Sequence, residues 1–463
     1  MKHSFKPLVS IIAVSILVAG CAHSDSTDKA LATIQWPEQW QHGSVHPTSS
    51  AVTDPNQTAA DWWTLFNDPQ LNQLIERARA RNNTLAVAGY KLRQAQLSAG
   101  LAQNEMFPSI SASGSSSASR AFNQNDGISR SSRASLSVSY EIDLWGKLAR
   151  AYDAKSWEAQ ATEQDLRSTE LTIEGTVAKL YWQLAYLNQR LAFADASLAY
   201  ARKTLDLINV QYRAGAASKL DVLTAERSVS SQEASRTDLI QERNEARNAM
   251  AIMFDAPPNA HIDNEPQALP TTELPAVVEG LPAEILARRP DLSAAELRLR
   301  KSLANIDVAR ANFYPSFSLT GSLGTGSTSL TKILSDPVGA LALNLALPFL
   351  NWNENQLNLK VSKSSYDQAV VEFRQTLYTA MSDVENALSA RTQYALKAAQ
   401  LQKAWESAKE SERLYEVRYR AGASSLKDWL DAQEARRQAQ SNLITNQYNQ
   451  YVNQVTLSLA LGG

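Results

Sequence analysis

The chain has few of the residues that build disulfides, metal clusters and phosphate-binding loops. One cysteine and five histidines in 463 residues exclude a disulfide scaffold and a cysteine-cluster metal site. His42 and His46 have helical spacing but lie among Gly, Pro and Ser, so we predict no metal role for them. No Ser/His/Asp or Cys/His arrangement and no glycine-rich phosphate loop is evident. The sequence therefore predicts neither an enzyme nor a cofactor.

An excess of positive charge is also missing. The chain has 45 Lys and Arg against 47 Asp and Glu, which gives a formal net charge of −2. A nucleic-acid-binding protein needs a basic surplus to neutralise phosphates. We therefore expect no nucleic-acid partner.

Long hydrophobic runs are absent except at the amino end. There, Lys2 and Lys6 precede an apolar run over residues 8–19, which is shorter than the roughly 20 residues of a membrane-spanning helix. Residues 1–20 are therefore predicted to be a secretory signal peptide. No later stretch approaches the roughly 18 consecutive apolar residues of a spanning helix.

The single cysteine, Cys21, follows the small residues Val18-Ala19-Gly20. This sequence resembles the lipobox of bacterial lipoproteins, so Cys21 is the predicted lipidation site, with acyl chains such as palmitate. The alternative is a cysteine that lies by chance near an ordinary cleavage site. In bacterial lipoproteins, an Asp directly after the lipidated cysteine favours retention in the inner membrane. This chain has Ala22 at that position, so the same resemblance implies the outer membrane. Each buried methylene of a lipid contributes about 0.8 kcal/mol to membrane binding, so acyl chains would anchor the mature chain firmly. Residues 21–60 are predicted to form a lipid-anchored, extended tail.

Landmarks recur along the chain at a constant offset. Phe107–Ser109 recurs as Tyr314–Ser316, and Tyr212–Ala216 recurs as Tyr419–Ala423. This pattern predicts a duplicated structural unit. The expected boundaries are a first repeat at 61–256, a proline-rich connector at 257–281 and a second repeat at 282–463.

Proline-free stretches of each repeat have helical periodicity. Apolar residues from Ile173 to Ile208 alternate in steps of four and three, which is the heptad pattern of coiled-coil packing. Gly215 and Gly422 interrupt the pattern at equivalent positions and predict the tips of two helical hairpins. The predicted long helices cover 147–211, about 218–250, 355–418 and 425–459, and shorter helices cover 71–104 and 282–312.

Between the helices the period changes to two. Four stretches, at about 109–119, 135–144, 316–324 and 341–349, are predicted strands, and the second and fourth have apolar residues at alternate positions. This pattern fits strands that cross a membrane with one face to lipid and one to a lumen, or a half-buried sheet in a soluble protein. The lipoprotein signal favours the membrane interpretation. The predicted pore-lining residues are Ser137, Ser139, Glu141, Asp143 and Asn344.

The predicted fold class is an α+β membrane protein with a duplicated helix-strand-strand-helix unit. Its four transmembrane strands cannot close a barrel, and unpaired edges in hydrocarbon cost several kcal/mol per group, so copies of the same chain must meet them. Two chains would give an eight-strand barrel, and side chains fill the interior of a barrel of that size. An open duct therefore favours three chains and a 12-strand β-barrel.

Several motifs together resemble the outer-membrane-factor family, that is, TolC-like proteins of the NodT-type lipoprotein branch. They are the paired landmarks above, Asp61–Pro69 and Arg288–Asp291. Within Asp61–Pro69, we predict that Trp62 and Trp63 pack in the core. The resemblance implies a homotrimeric duct in outer-membrane lipid that continues as a periplasmic α-helical barrel. It also implies two partners, a periplasmic adaptor (membrane fusion) protein and an inner-membrane pump, which we expect to be proton-driven.

The resemblance also assigns roles at the tips. Asp428 and Asp431 would line a periplasmic gate as two rings of carboxylates that attract cations, although an Asp near a helix start also simply favours the helix dipole. Tyr419 would hold the closed tip, with Asp221 as its counterpart. Ser424 stands where the family can have arginine, so the closing network must differ, with Arg213 or Arg420 as substitutes. The predicted adaptor contacts are Arg213, Gly215, Ser218, Arg420, Gly422 and Ser425, although a plain turn explains the glycines equally well.

The predicted function is passive, gated export of small molecules such as drugs, toxic compounds or metals. An alternative is the outlet of a type I polypeptide secretion system, which would have nearly the same duct. A periplasmic coiled-coil scaffold without a pore would explain the heptads but not the alternating strands. A passive duct takes its specificity from its partners, so the sequence predicts only a class of exported compound.

Overall fold

A computed structural model describes residues 40–41, 61–120, 128–258, 260–261, 265–275, 288–328 and 337–463. The predicted signal peptide, Cys21, most of the predicted tail, His42, His46 and part of the predicted connector lie outside the described residues. None of the described helices combines the length and apolar character needed to cross a membrane. Within the same ranges, no group of metal-binding side chains occurs.

Each half of the chain contains the same succession of elements. A helix leads into two antiparallel strands, and a long helix and a returning helix follow. The elements are α1 (Pro69–Arg81), α2 (Asn83–Asn104), β1 (Ser109–Ser119), β2 (Ser129–Ile142), α3 (Lys147–Arg213), α4 (Lys219–Met253), α5 (Pro290–Ala311), β3 (Ser316–Ser327), β4 (Pro337–Ala346), α6 (Trp352–Arg420) and α7 (Leu426–Ala460). The predicted duplicated helix-strand architecture is confirmed. The first residues of α2 and α5, of α4 and α7, and of β1 and β3 are separated by the same number of residues as the paired sequence landmarks.

The predicted helix over 71–104 is two helices. Asn82 separates them in an extended conformation, with φ −69° and ψ 124°. Its side-chain oxygen accepts hydrogen bonds from the backbone amides of Thr84 at 2.9 Å and Leu85 at 3.1 Å. Asn82 is thus the N-cap of α2, and an Asn at this position is among the best partners for unpaired amides.

The heptad positions of α3 are buried where the helix meets its neighbours. Val177, Leu184 and Ile208 have no exposed surface, and Leu187 has 1%. A period of 3.5 residues keeps one face of a helix turned to the same neighbour over many turns. The seam predicted from the sequence therefore packs against the other long helices.

The largest core cluster joins the Asp61–Pro69 motif to α3. Trp62 and Trp63 are 5% and 1% exposed, which confirms their predicted core packing. The indole nitrogen of Trp62 donates a hydrogen bond of 3.1 Å to Glu174, and the Arg79 guanidinium donates one of 2.8 Å to the same carboxylate. Burial raises the pKa of Glu174, and the Arg79 charge opposes this rise. The motif therefore fixes the start of the first repeat to the middle of α3.

The four strands form one antiparallel sheet in the order β1-β2-β3-β4. One face carries mainly small polar residues, such as the Ser111–Ser137 and Ser113–Ser135 pairs, whose hydroxyl oxygens are 2.8 Å apart. The other face carries apolar residues that are largely exposed. Examples are Ile110, Leu136, Leu341 and Leu343. We call these the hydroxyl face and the apolar face.

Two strand ends differ from the prediction. β4 ends at Ala346, because Pro348 begins a short 3₁₀ turn, Pro348–Asn351, and proline has no amide to continue the ladder. Asp143 lies one residue beyond β2, and its carboxylate accepts a hydrogen bond of 2.9 Å from the Ala149 amide at the start of α3. Asp143, predicted as a pore-lining strand residue, thus lies outside the strand, because its carboxylate caps the start of α3.

Candidate functional site

The two hairpin tips have the same backbone geometry. Gly215 and Gly422 take φ +73° and +74°, in the left-handed region that favours glycine. The next amides, of Ala216 and Ala423, each donate a hydrogen bond of 2.8 Å back to a carbonyl five residues earlier. This is the Schellman arrangement that ends a helix and turns the chain, and it confirms the predicted positions of both tips.

Each returning helix starts with a reciprocal cap. Ser218 Oγ accepts a hydrogen bond of 3.1 Å from the Asp221 amide, and the Asp221 carboxylate accepts one of 2.8 Å from the Ser218 amide. Ser425 and Asp428 repeat this arrangement, with distances of 3.2 Å and 3.1 Å. Both serines therefore have a structural role in capping, whatever contacts their outer surfaces make.

Tyr419 makes the polar contact between the two hairpins at the tips. Its hydroxyl donates a hydrogen bond of 2.6 Å to the side chain of Gln211 in α3. Its ring stacks on Trp429 with centroids 5.1 Å apart. Burial raises the pKa of Tyr419, and the nearby charge of Asp221 adds to the rise. The predicted partner, Asp221, is near but not bonded to Tyr419, because Ser218 holds its carboxylate.

The two candidate gate carboxylates have different surroundings. Hydrogen bonds from the Ser425 side chain and backbone lower the pKa of Asp428 and so favour its ionised form. Asp431 is 63% exposed at its side chain and forms an ion pair with Lys427 one helical turn away. Both carboxylates lie on the same face of the start of α7, as their spacing predicts.

The arginines proposed for the closing network bond within their own helices. Arg213 donates a hydrogen bond of 3.3 Å to the Asn209 carbonyl, and Arg420 pairs with Glu416 at 2.5 Å. Neither guanidinium reaches the other hairpin through these bonds. Within the described chain, the buried Ser424 hydroxyl has no hydrogen-bond partner. The single chain thus gives no support for Arg213 or Arg420 as the closing contact.

A buried ion pair above the second tip was missed by the sequence analysis. Glu412 in α6 is 6% exposed and pairs with Arg436 in α7. Tyr200 of α3 lies beside it and donates a hydrogen bond of 3.3 Å to Glu416. Burial and the two carboxylates raise the pKa of Tyr200 to about 12. A comparison of the two repeats could have revealed this ion pair, because the equivalent positions of the first repeat hold the apolar residues Leu205 and Val229.

A two-faced sheet mounted on two long helical hairpins defines the class of TolC-like outer-membrane channels. The chain matches the family described as "Outer membrane efflux protein" over residues 74–253 and 281–463, one stretch in each half of the chain. The chain belongs to this family.

Known proteins resemble the chain over nearly its whole length. It is 31% identical to "Pyoverdine export outer membrane protein OpmQ" of Pseudomonas putida, with 92% of each chain covered. It is 28% identical to "Cation efflux system protein CusC" of Escherichia coli, with 97% of each covered. The solved structure of the outer-membrane channel OprN superposes with a TM-score of 0.82 at 26% identity, covering 93% of this chain and 98% of that one.

Proposed function

We propose that the protein is the outer-membrane duct of a tripartite efflux system that exports small molecules. Three copies would close a 12-strand β-barrel in the outer membrane and a helical barrel in the periplasm. A periplasmic adaptor and a proton-driven inner-membrane pump would complete the system, and lipid on Cys21 would anchor each copy. The protein would act as a passive, gated channel rather than an enzyme.

The observation that carries this proposal is the two-faced sheet with unpaired edge strands. Within the described residues, β1 and β4 each pair on one side only. In a membrane, unsatisfied edge groups cost several kcal/mol each, so the sheet must be completed by other strands. The apolar face suits lipid and the hydroxyl face suits a water-filled lumen.

The substrate is proposed only as a class. The names of OpmQ and CusC describe export of pyoverdine and efflux of cations, which are small solutes. These names do not favour the alternative of a polypeptide secretion outlet. Deletion of the gene, followed by growth tests with drugs, metals and dyes, should reveal sensitivity to one group of small compounds. Unchanged growth with all of them and loss of a secreted polypeptide would overturn the proposal.

The gate is proposed at the second tip. Three chains would bring three copies of Asp428 and Asp431 together, and crowded carboxylates attract cations. The double variant Asp428→Ala with Asp431→Ala should therefore lower the cation preference and cation block of single channels in planar lipid bilayers.

The control for loss of a helix cap is Asp221→Ala, because it removes the equivalent capping carboxylate from the first tip. This variant should retain the cation block. If the double variant and the wild type had the same selectivity, the gate assignment would be wrong.

A further inference from the structure

The hydroxyl face carries two charged side chains within the described strands, and their signs are opposite. Arg133 and Glu141 lie on β2 with an even spacing, so both project from this face. Ser115 of β1 and Gly326 of β3 flank Arg133, and Ser318 of β3 pairs with Glu141. Asp143 does not contribute, because it caps α3. The other residues of this face in the four strands are serine, threonine, glycine, alanine, asparagine and one valine.

The two charges lie near opposite ends of the strand. Eight residues separate them, which corresponds to about 26 Å along a strand at about 3.3 Å per residue. Glu141 is next to the end of β2 that leads into α3. Arg133 is near the end that connects to β1. If the helices extend into the periplasm, as proposed, Arg133 lies near the outer mouth of the duct.

The neighbours of Arg133 leave room for its side chain above the sheet. A Cβ atom built on Gly326 would lie 3.5 Å from Arg133 Cγ, so the arginine stem lies across the glycine on the hydroxyl face. Arg133 is exposed, and its guanidinium forms no ion pair with another described residue. The charge is therefore available to ions or solutes in a lumen.

We propose that Arg133 makes the outer part of the duct prefer anions, whereas Glu141 makes the periplasmic end prefer cations. Because of this difference, the lumen conducts cations outward more readily than inward. This inference rests on the proposed function. Three chains would place a ring of positive charge near the outer mouth and a ring of negative charge near the periplasmic end. Charged walls concentrate ions of opposite sign.

The asymmetry follows from which ions each end concentrates. When cations are driven outward, they enter through the Glu141 region while anions enter through the Arg133 region, and both ions accumulate in the lumen. When the voltage is reversed, each ion enters through the region that repels it. The lumen is then depleted of ions and its conductance falls.

Bilayer recordings of the purified, lipid-reconstituted protein added from one side provide the test. In KCl at about 0.01 M the Debye length is about 30 Å, whereas at 1 M it is about 3 Å. We expect an asymmetric current-voltage curve at low salt that becomes symmetric at high salt. Arg133→Gln should raise the potassium-to-chloride permeability ratio about twofold and reduce the asymmetry, and Arg133→Glu should have a larger effect in the same direction.

Arg130→Gln is the matched control. Arg130 lies on the same strand, three residues away and opposite Ala118, so it projects from the apolar face. The change of charge is the same, but it lies outside the lumen. Permeability and asymmetry should therefore equal those of the wild type.

Chemical modification of a cysteine at this position changes the charge after the channel has folded. In Arg133→Cys, the only other cysteine is Cys21, the predicted lipidation site. A cationic methanethiosulfonate reagent applied to the open channel should restore the wild-type asymmetry, and an anionic one should increase the cation preference. If channels form and neither Arg133→Gln nor the reagents change selectivity, the inference is wrong while the duct remains. If the wild-type protein forms no channels, the proposed function itself fails.

Discussion

The two hairpins have the same backbone geometry but differ in where they place charge. Both tips combine a left-handed glycine with a Ser/Asp capping box. Above the tips, the first hairpin has Leu205 and Val229 in an apolar cluster. The second has the Glu412–Arg436 ion pair at the equivalent positions. The comparison teaches that the tip needs only glycine and caps, whereas the interior of the hairpin accepts either apolar or ionic packing.

The largest effect is expected from breaking the buried ion pair. Arg436→Ala leaves the Glu412 carboxylate buried without its partner, and such a loss costs about 3–5 kcal/mol. Thermal unfolding of the detergent-solubilised protein would measure it. The first hairpin supplies the control, the double variant Glu412→Leu with Arg436→Val, which should be as stable as the wild type or more stable. A double variant as unstable as Arg436→Ala would break the comparison.

The pH dependence of stability gives an independent measurement of the same site. Burial raises the pKa of Glu412 above the ordinary 4.5, although Arg436 lowers it. The unfolded chain therefore loses this proton at a lower pH than the folded protein does. The contribution of Glu412 to stability is largest at low pH and falls as the pH rises above 4.5. Glu412→Gln should remove this decrease, so the free energy of unfolding of the wild type should fall relative to that of Glu412→Gln as the pH rises. A wild type that instead becomes more stable relative to Glu412→Gln at higher pH would contradict the sign.

A smaller and equal effect is expected at the two tips. Gly215→Ala and Gly422→Ala should each cost about 1–2 kcal/mol, because an L-residue is strained in the left-handed region. A Cβ atom at either position would meet nothing within 4 Å, so the backbone alone determines the cost. Asn tolerates this conformation better, so Gly215→Asn and Gly422→Asn are the controls. Unequal costs measured by denaturant unfolding would show that the tips are not equivalent.

The sequence predicted the features that depend on local patterns. Glycines placed the tips, the heptads placed the buried face of α3, and alternation placed the strands. Contacts between distant elements were harder to predict. A heptad pattern shows that Glu412 faces a neighbour but does not identify Arg436, and an alternating pattern does not reveal that Asp143 leaves the strand to cap α3. Aligning the two repeats, Glu412 with Leu205 and Arg436 with Val229, would have identified the ion pair.

The smallest effect is expected at the contact between the tips. Tyr419→Phe removes the hydrogen bond to Gln211 and keeps the ring on Trp429, so it should cost about 1 kcal/mol. If this contact forms only in the closed duct, the same energy raises the open-to-closed ratio about fivefold for each protomer's tip, which single-channel recordings would measure. The equivalent Tyr212 is 44% exposed, and Tyr212→Phe is therefore a control expected to have no effect. Equal open fractions in all three proteins would show that Tyr419 only packs the second tip and does not hold the two hairpins together.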